Sequence, residues 1–302
     1  MGIARLTDVA LMKRLRGAEQ WLHALAARMY LHSPFYNPTS GASATRRIRV
    51  VDATTITESG STGTDWRIHY VLQLPSLECD FFEVTDASGG ESYTRLPVRP
   101  GDVILGDRGY AHREGVASVL RKGGDVVVRL NASNFPLLRE GCPFDLLAAL
   151  RTLHEDEPGE WRVEFEAFGE RHPARICAIR KSVEAAQRAK KQVMKSAAKK
   201  GRQVRPETLE MAEYIAVLTT LDEQTTTAQV LELYRSRWQV ELAFKRIKAL
   251  LGAGHVPKAD PMSARAWIYA KLLAVLLIER LLQQARFFSP WGFQIREPKP
   301  LA

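Results

Sequence analysis

Hydrophobic and polar positions along the chain follow two periods, and the changes of period mark the elements. Residues Thr7 to His32 carry Val9, Leu11, Met12, Leu15, Trp21, Leu22 and Leu25 at helical spacing, with Thr7 and Asp8 placed to cap the first turn. A polar stretch containing Pro34 and Pro38 follows, from Ser33 to Thr45, and predicts a loop. From Arg47 the period shortens to two. RIRVVDATTITE, WRIHYVLQL and DFFEVTDAS are rich in β-branched and aromatic residues and predict three strands. The short turns between them, such as Gly60 to Thr64, predict an antiparallel meander. Pro100-Gly101-Asp102 is a turn signal, and VILGDRGY predicts a fourth strand running into a loop at Asp107. His112 to Lys122 reads as a short helix and Asp125 to Leu130 as a fifth strand.

Beyond this the pattern is less regular. WRVEFEAFG and ARICAIRKS predict strands, with turns at Pro158-Gly159 and around His172-Pro173. Lys181 to Arg205 is a strongly basic helical segment, and EYIAVLTTL is a further strand. One continuous helix is predicted from near Thr226 to about Leu251. Asp260-Pro261 supplies an N-cap and first helical residue for a last apolar helix. Its most apolar part, Ala266 to Leu282, is broken by Lys271, Glu279 and Arg280, which argues for a buried core helix and against a membrane span. The tail from Pro290 carries no clear element, and no internal repeat is visible.

This order predicts an α/β fold, a mixed five-stranded sheet with flanking helices. A ribonuclease-H-like core has the same order of elements. The corresponding division is a helical segment over 1–45, the first part of the core over 46–132, a β-rich insertion with a basic helix over 133–222, the second part of the core over 223–290, and a tail over 291–302.

Composition narrows the partners. The 302 residues carry a formal net charge of +9 and a pI near 9.6, which favours a polyanion such as nucleic acid or an anionic membrane surface; the alternative is a protein that is merely basic. Cys79, Cys142 and Cys177 are widely spaced and form no CxxC pair, and the histidines form no HExxH. A disulfide framework and a zinc site are therefore not expected, and a reducing cytoplasm fits. MGIARLTDVALMKRL contains no uninterrupted apolar run of the kind a signal peptide needs.

Three carboxylates stand out. Asp52 lies in an otherwise apolar strand between Val50, Val51 and Ala53, where a charge is costly unless it is paired or binds a metal; the alternative is an edge strand with Asp52 facing water. Asp107 ends a strand in DRGY, as a metal ligand or as an ordinary loop cap. Asp65, Asp80, Asp86 and Asp102 sit at turns or strand ends and read as surface acids. In LYRSRWQVELAFKRIKALL, a regular helix would gather Tyr234, Arg237, Glu241 and Lys248 into an arc of roughly 60°. That arc borders the apolar stripe of Leu233, Val240, Phe244, Ile247 and Leu251, so Glu241 would stand at the rim of the core, within reach of Asp52 and Asp107. The alternative is a solvated face with an Arg237–Glu241 ion pair at i,i+4.

Tyr234-x2-Arg237-x3-Glu241-x6-Lys248 resembles the YREK signature of DDE transposases of the insertion sequence 4 type. Asp107-Arg-Gly109-Tyr110 is similar to that family's D-x-G-x-Y motif, and VVDATTIT to its first-aspartate strand. PGDVILGDRGY and ARAWIYAKLLAVLLIERLL extend the likeness, which covers most of the chain, from about Leu6 to Trp291.

The resemblance implies a ribonuclease-H-like catalytic domain with the triad Asp52, Asp107 and Glu241 holding two Mg²⁺ ions, with Mn²⁺ as a substitute. Asp52 would bridge both ions, and Asp107 and Glu241 would each hold one. It implies hydrolysis at the transposon end followed by attack of the freed 3′-hydroxyl on target DNA, in some members through a hairpin end. Tyr234, Arg237 and Lys248 would contact the DNA end. Trp161 is a candidate for stacking a flipped base or, alternatively, a core tryptophan. The Lys190 to Arg202 run would track DNA or form a solvated basic helix. The partners would be the terminal inverted repeats, target DNA and a second copy in a synaptic homodimer, in the bacterial cytoplasm and with no membrane. Family members commonly carry a further N-terminal helical region that binds the repeats, and RLTDVALMKRLRGAEQWL resembles its end. A shortened copy is therefore expected, either still cleaving DNA or acting as a non-catalytic DNA-binding remnant that inhibits full-length copies.

Overall fold

A computed structural model describes residues 7–31, 46–61, 63–131, 135–199, 201–250, 252, 254–256 and 260–285. The loop expected over 33–45 and the proline-rich tail lie outside the described residues. The first helical pattern forms two helices, α1 (Asp8–Gly17) and α2 (Glu19–Leu31), parted at Ala18. The Thr7 hydroxyl caps α1 by accepting from the Ala10 amide at 3.2 Å.

The meander follows as β1 (Arg47–Glu58), β2 (Trp66–Leu74) and β3 (Glu78–Asp86), each strand antiparallel to the next. Strand β4 (Asp102–Gly106) returns alongside β1 in parallel. Helix α3 (Arg113–Arg121) then crosses over to β5 (Asp125–Arg129), parallel to β4. The order β3-β2-β1-β4-β5, with β1, β4 and β5 parallel, is the ribonuclease-H-like sheet that the element order predicted.

The β-rich segment continues this same sheet. Short strands β6 (Leu138–Arg139) and β7 (Cys142–Pro143) and helix α4 (Leu146–Leu150) precede a long hairpin, β8 (Pro158–Ala167) and β9 (Glu170–Arg180). The expected turns at Pro158-Gly159 and His172-Pro173 do not form. Both pairs lie within strands, and the chain reverses at Phe168 and Gly169, with φ of 54° and 78°. Pro173 is tolerated because β10 pairs only with Arg175 to Arg180 of β9, so no ladder bond from the missing N–H is lost on that side. Helices α5 (Val183–Lys199) and α6 (Pro206–Met211) lead to β10 (Tyr214–Thr219), which joins β9 to β5.

The helix expected from Thr226 to Leu251 is not continuous. Helix α7 (Thr227–Arg235) has a Thr226–Gln229 capping box. A 3₁₀ turn, Ser236–Trp238, separates it from α8 (Gln239–Lys245), which ends in a π turn, Arg246–Leu250. The Ser236 hydroxyl donates to the Leu233 carbonyl at 2.6 Å, a side-chain bond that loosens the helical ladder where it breaks. Strand β11 (His255–Val256) pairs with the far end of β1, and α9 (Pro261–Ala285) closes the described chain. By length and apolar composition α9 would span a membrane, yet Ala264, Ile268, Leu272 and Leu276 are buried in the core cluster they share with Leu22 and Ala26 of α2.

The sheet separates two apolar layers. Val50, Leu105, Val127 and Val217 face α7, α8 and α9, whereas Val51, Ile104, Val126 and Val128 face α3 and α4. At the start of β1 one reading of the sequence needs correction. The Asp80 and Asp102 side chains are covered, at 6% and 1% exposure, and are not surface acids. Arg47 grips Asp102 with two bonds of 2.7 and 2.9 Å, and Arg49, 1% exposed, binds Asp80, Asp102 and the Pro97 carbonyl. Each buried charge is thereby neutralised by a fork of donors.

Candidate active site

Strand register brings the first two acids together. Val50 of β1 stands beside Leu105 of β4 in a parallel ladder, so Asp52, within β1, and Asp107, just past the end of β4, each two residues further on, come to the same height on the same face. That face carries the α7–α8 layer. Glu241, in the first turn of α8, approaches from it.

Arg237 joins the acids. Its Nη1 donates to Asp52 Oδ2 at 3.2 Å and its Nη2 to Glu241 Oε1 at 2.8 Å. One guanidinium thus stands between two carboxylates contributed from opposite sides of the cleft. Asp52 and Arg237 are largely enclosed, at 16% and 17% side-chain exposure, whereas Glu241 is open at 53%. Burial, and then repulsion from Asp107, push the Asp52 carboxyl up to about 7; the Ala53 amide, donating to Oδ1 at 2.7 Å, and Arg237 only partly oppose this. Asp107 Oδ1 accepts from the Gly109 amide at 2.7 Å, which fixes the turn after β4.

The other expected residues stand in different surroundings. Tyr234 is buried, its hydroxyl turned toward Arg237 and Arg129, and desolvation raises its pKa. Lys248 is half-buried in the π turn, with its pKa lowered by desolvation. Tyr234 stays joined to the acids through Arg237, although a 3₁₀ turn interrupts the continuous helix on which the four polar residues were expected to share one arc. Trp161 is not brought to the acids. It lies on β8, four strands along the sheet from β4, or roughly 19 Å at the usual strand spacing. There it packs half-buried against the second core cluster.

Sequence reasoning missed two features. Arg129, at the end of β5, is desolvated and adds a further cation beside Arg108 and Arg237. Glu91 reaches over Gly109 toward Asp107 from a glycine-containing loop that has no periodicity to betray it.

Among the described residues no group of three or more His, Cys, Asp or Glu side chains stands preassembled for a metal ion. The geometry supplies a reason, since the Arg237 guanidinium fills the space between Asp52 and Glu241. The donor chemistry nevertheless fits a hard divalent cation: all three groups are carboxylates, and a cationic group already lies among them.

A sheet of this order with helices packed on both faces defines a ribonuclease-H-like α/β domain. Comparison with known proteins gives the family. Residues 84–277 match the family described as "Transposase DDE domain". The chain is 36% identical over 297 residues to the transposase for insertion sequence element IS421 of Escherichia coli, covering 95% of this chain and 79% of that one. It is 23% identical over 209 residues to the transposase for IS231F of Bacillus thuringiensis subsp. israelensis, covering 63% of this chain and 43% of the relative. Among solved structures, a piggyBac transposase synaptic complex with hairpin DNA superposes with a TM-score of 0.48 at 10% identity, covering 93% of this chain and 56% of that one. The chain belongs to the DDE transposase family, as an insertion sequence transposase.

Proposed function

We propose that Asp52, Asp107 and Glu241 hold two divalent cations, Mg²⁺ with Mn²⁺ as a substitute, and that the chain uses them to cleave the ends of its own element and transfer them to target DNA. The observation that carries this reading is the Arg237 guanidinium between Asp52 and Glu241, with Asp107 acting on Asp52: the cleft already holds a cation where the reaction needs cations. When bound, a pair of such ions polarises the scissile phosphate and activates the attacking oxygen.

The chain's own groups do the rest. Asp52 would hold a cation as the carboxylate, so its raised pKa would set protonation in competition with cation binding. Glu241, exposed and on a short helix flanked by 3₁₀ and π turns, has freedom to swing toward the two aspartates. Arg237, freed from the carboxylates, would be left to neutralise a DNA phosphate, with Arg129 beside it at the end of β5 and Lys248, in the π turn, as a further cation. Tyr234 acts from a buried position by orienting Arg237 and Arg129. The terminal inverted repeats and the target are the DNA partners, two copies synapse two ends, and the setting is the bacterial cytoplasm. The two bonds by which Arg237 joins Asp52 to Glu241, with Asp107 acting on Asp52, favour this reading over a non-catalytic remnant.

The test is cleavage of duplex DNA bearing the element's ends, with and without Mg²⁺, by the parent and by Glu241→Gln. Metal-dependent cleavage that the variant loses supports the proposal. Equal cleavage by the variant removes Glu241 from the site.

A further inference from the structure

Resting on the reading of Asp52, Asp107 and Glu241 as metal ligands, we propose that Glu91 is a fourth carboxylate of the site, a ligand to the divalent cation held by Asp107. Two independent observations carry this. The first is position. A side chain at Gly109 would begin 1.8 Å from Glu91 Oε2 and 3.0 Å from Asp107 Oδ1, so the two carboxylates converge on the same bare backbone. No other residue type at 109 leaves room for both. Glu91 makes no hydrogen bond or ion pair among the described residues, although it is half-buried. A carboxylate held next to another, with no donor of its own, is costly unless a cation joins them.

The second observation lies beneath the pair. Tyr110 is 1% exposed and its hydroxyl has no partner. Glu91, Asp52 and Asp107, in that order, are the carboxylates that bear electrostatically on this phenol. A buried hydroxyl almost always finds a partner, so an orphaned donor aimed at a set of carboxylates marks a site completed by something further. Tyr93, buried below Gly106 with its own hydroxyl unpartnered, extends the same floor. With a cation drawing Glu91 and Asp107 together, Tyr110 gains a carboxylate acceptor, the outer-shell bond that orients metal ligands.

The competing role for Glu91 is structural, as a counter-charge to Arg67 and His112, whose positive charges oppose the raising of its pKa by burial and Asp107. The two roles differ in measurable ways. Mn²⁺ binding to the full chain, without DNA, is followed by electron paramagnetic resonance and by calorimetry for the parent, Asp107→Asn, Glu91→Gln and Glu91→Asp, together with metal-free thermal melting. Glu91→Gln is expected to weaken Mn²⁺ binding at least tenfold at one of two sites, with metal-free melting unchanged or raised, and Glu91→Asp to recover part of the affinity. Parental Mn²⁺ binding by Glu91→Gln, with Asp107→Asn impaired, overturns the fourth-ligand role and leaves the triad standing. Parental binding by both overturns the triad reading itself, and this inference with it. A lowered metal-free melting temperature in Glu91→Gln with unchanged affinity assigns Glu91 to the structural role and also overturns the proposal.

Discussion

Replacing Asp52 with Asn should make the metal-free protein more stable while disabling it, and the size of the effect should depend on pH in a way that can be worked from the fold. Burial and Asp107 raise the Asp52 carboxyl from 3.8 to about 7 in the folded chain. The folded state therefore binds a proton that the unfolded chain has released, and stability falls as pH rises between those values. The Asp52 contribution is fully present below the unfolded value and is lost by the time pH has passed through the folded one. At about 1.36 kcal/mol per pKa unit the full loss is about 4 kcal/mol, of which roughly 2.5 kcal/mol is expressed between pH 5 and pH 8. Asn cannot titrate, so the variant escapes this loss and still offers Arg237 an acceptor. Urea unfolding of both proteins in a chelator, at several pH values, reads the difference directly. The variant's advantage should grow by about 2–3 kcal/mol from pH 5 to pH 8. Saturating Mg²⁺ at pH 8 should stabilise the parent, by about 2.7 kcal/mol at a hundredfold excess over Kd, and leave the variant nearly unmoved. A difference between the two that does not change with pH would refute the argument, because it would mean that Asp52 is not desolvated beside a second carboxylate.

Further outcomes follow from the same geometry. Arg237→Met removes a cation competing for Asp52 and Glu241, so Mn²⁺ titration at pH 8 without DNA should show tighter binding while cleavage of element ends falls; weaker Mn²⁺ binding would mean that Arg237 is not a placeholder. Asp102→Asn leaves Arg47 and Arg49 without their shared carboxylate, and should cost about 3–5 kcal/mol in chemical denaturation; a loss below 1 kcal/mol would contradict the buried network. Lys191 and Lys195 are exposed on α5, and reversing both to Glu should weaken DNA binding and flatten its dependence on log[salt] by up to about 2 if each meets a phosphate. Unchanged affinity and slope would make α5 an ordinary solvated basic helix.

How much of this was legible beforehand depends on how local the cause is. Strands β1 and β2 could be read to the residue, because β-branched alternation sets both their ends. Asp52 was legible as a candidate, since a carboxylate inside a valine-rich strand has few cheap explanations, whereas Asp107, at the end of β4, stood out only through the DRGY motif. Their meeting required the parallel β1–β4 register, which no local pattern specifies. Asp102 was misread because its partners, Arg47 and Arg49, lie more than fifty residues earlier and pair with it only through the fold. The Glu241 helix was read as continuous, since apolar spacing reports a period and not the single Ser236 bond beside the break. Glu91 gave no signal at all: its loop, near Gly89 and Gly90, has neither period nor motif, and its place over Gly109 is purely tertiary.

The central claim is that Asp52, Asp107 and Glu241 act as one metal-dependent DNA-cleaving site. It is tested most directly by cleavage of an end-bearing duplex by folded Asp52→Asn, Asp107→Asn and Glu241→Gln beside the parent, in Mg²⁺ and in chelator. The account predicts cleavage by the parent only with metal, and a loss of at least about a hundredfold in each variant, with the losses far from additive when variants are combined. Parental cleavage by any one of the three, or cleavage that persists in chelator, would contradict it.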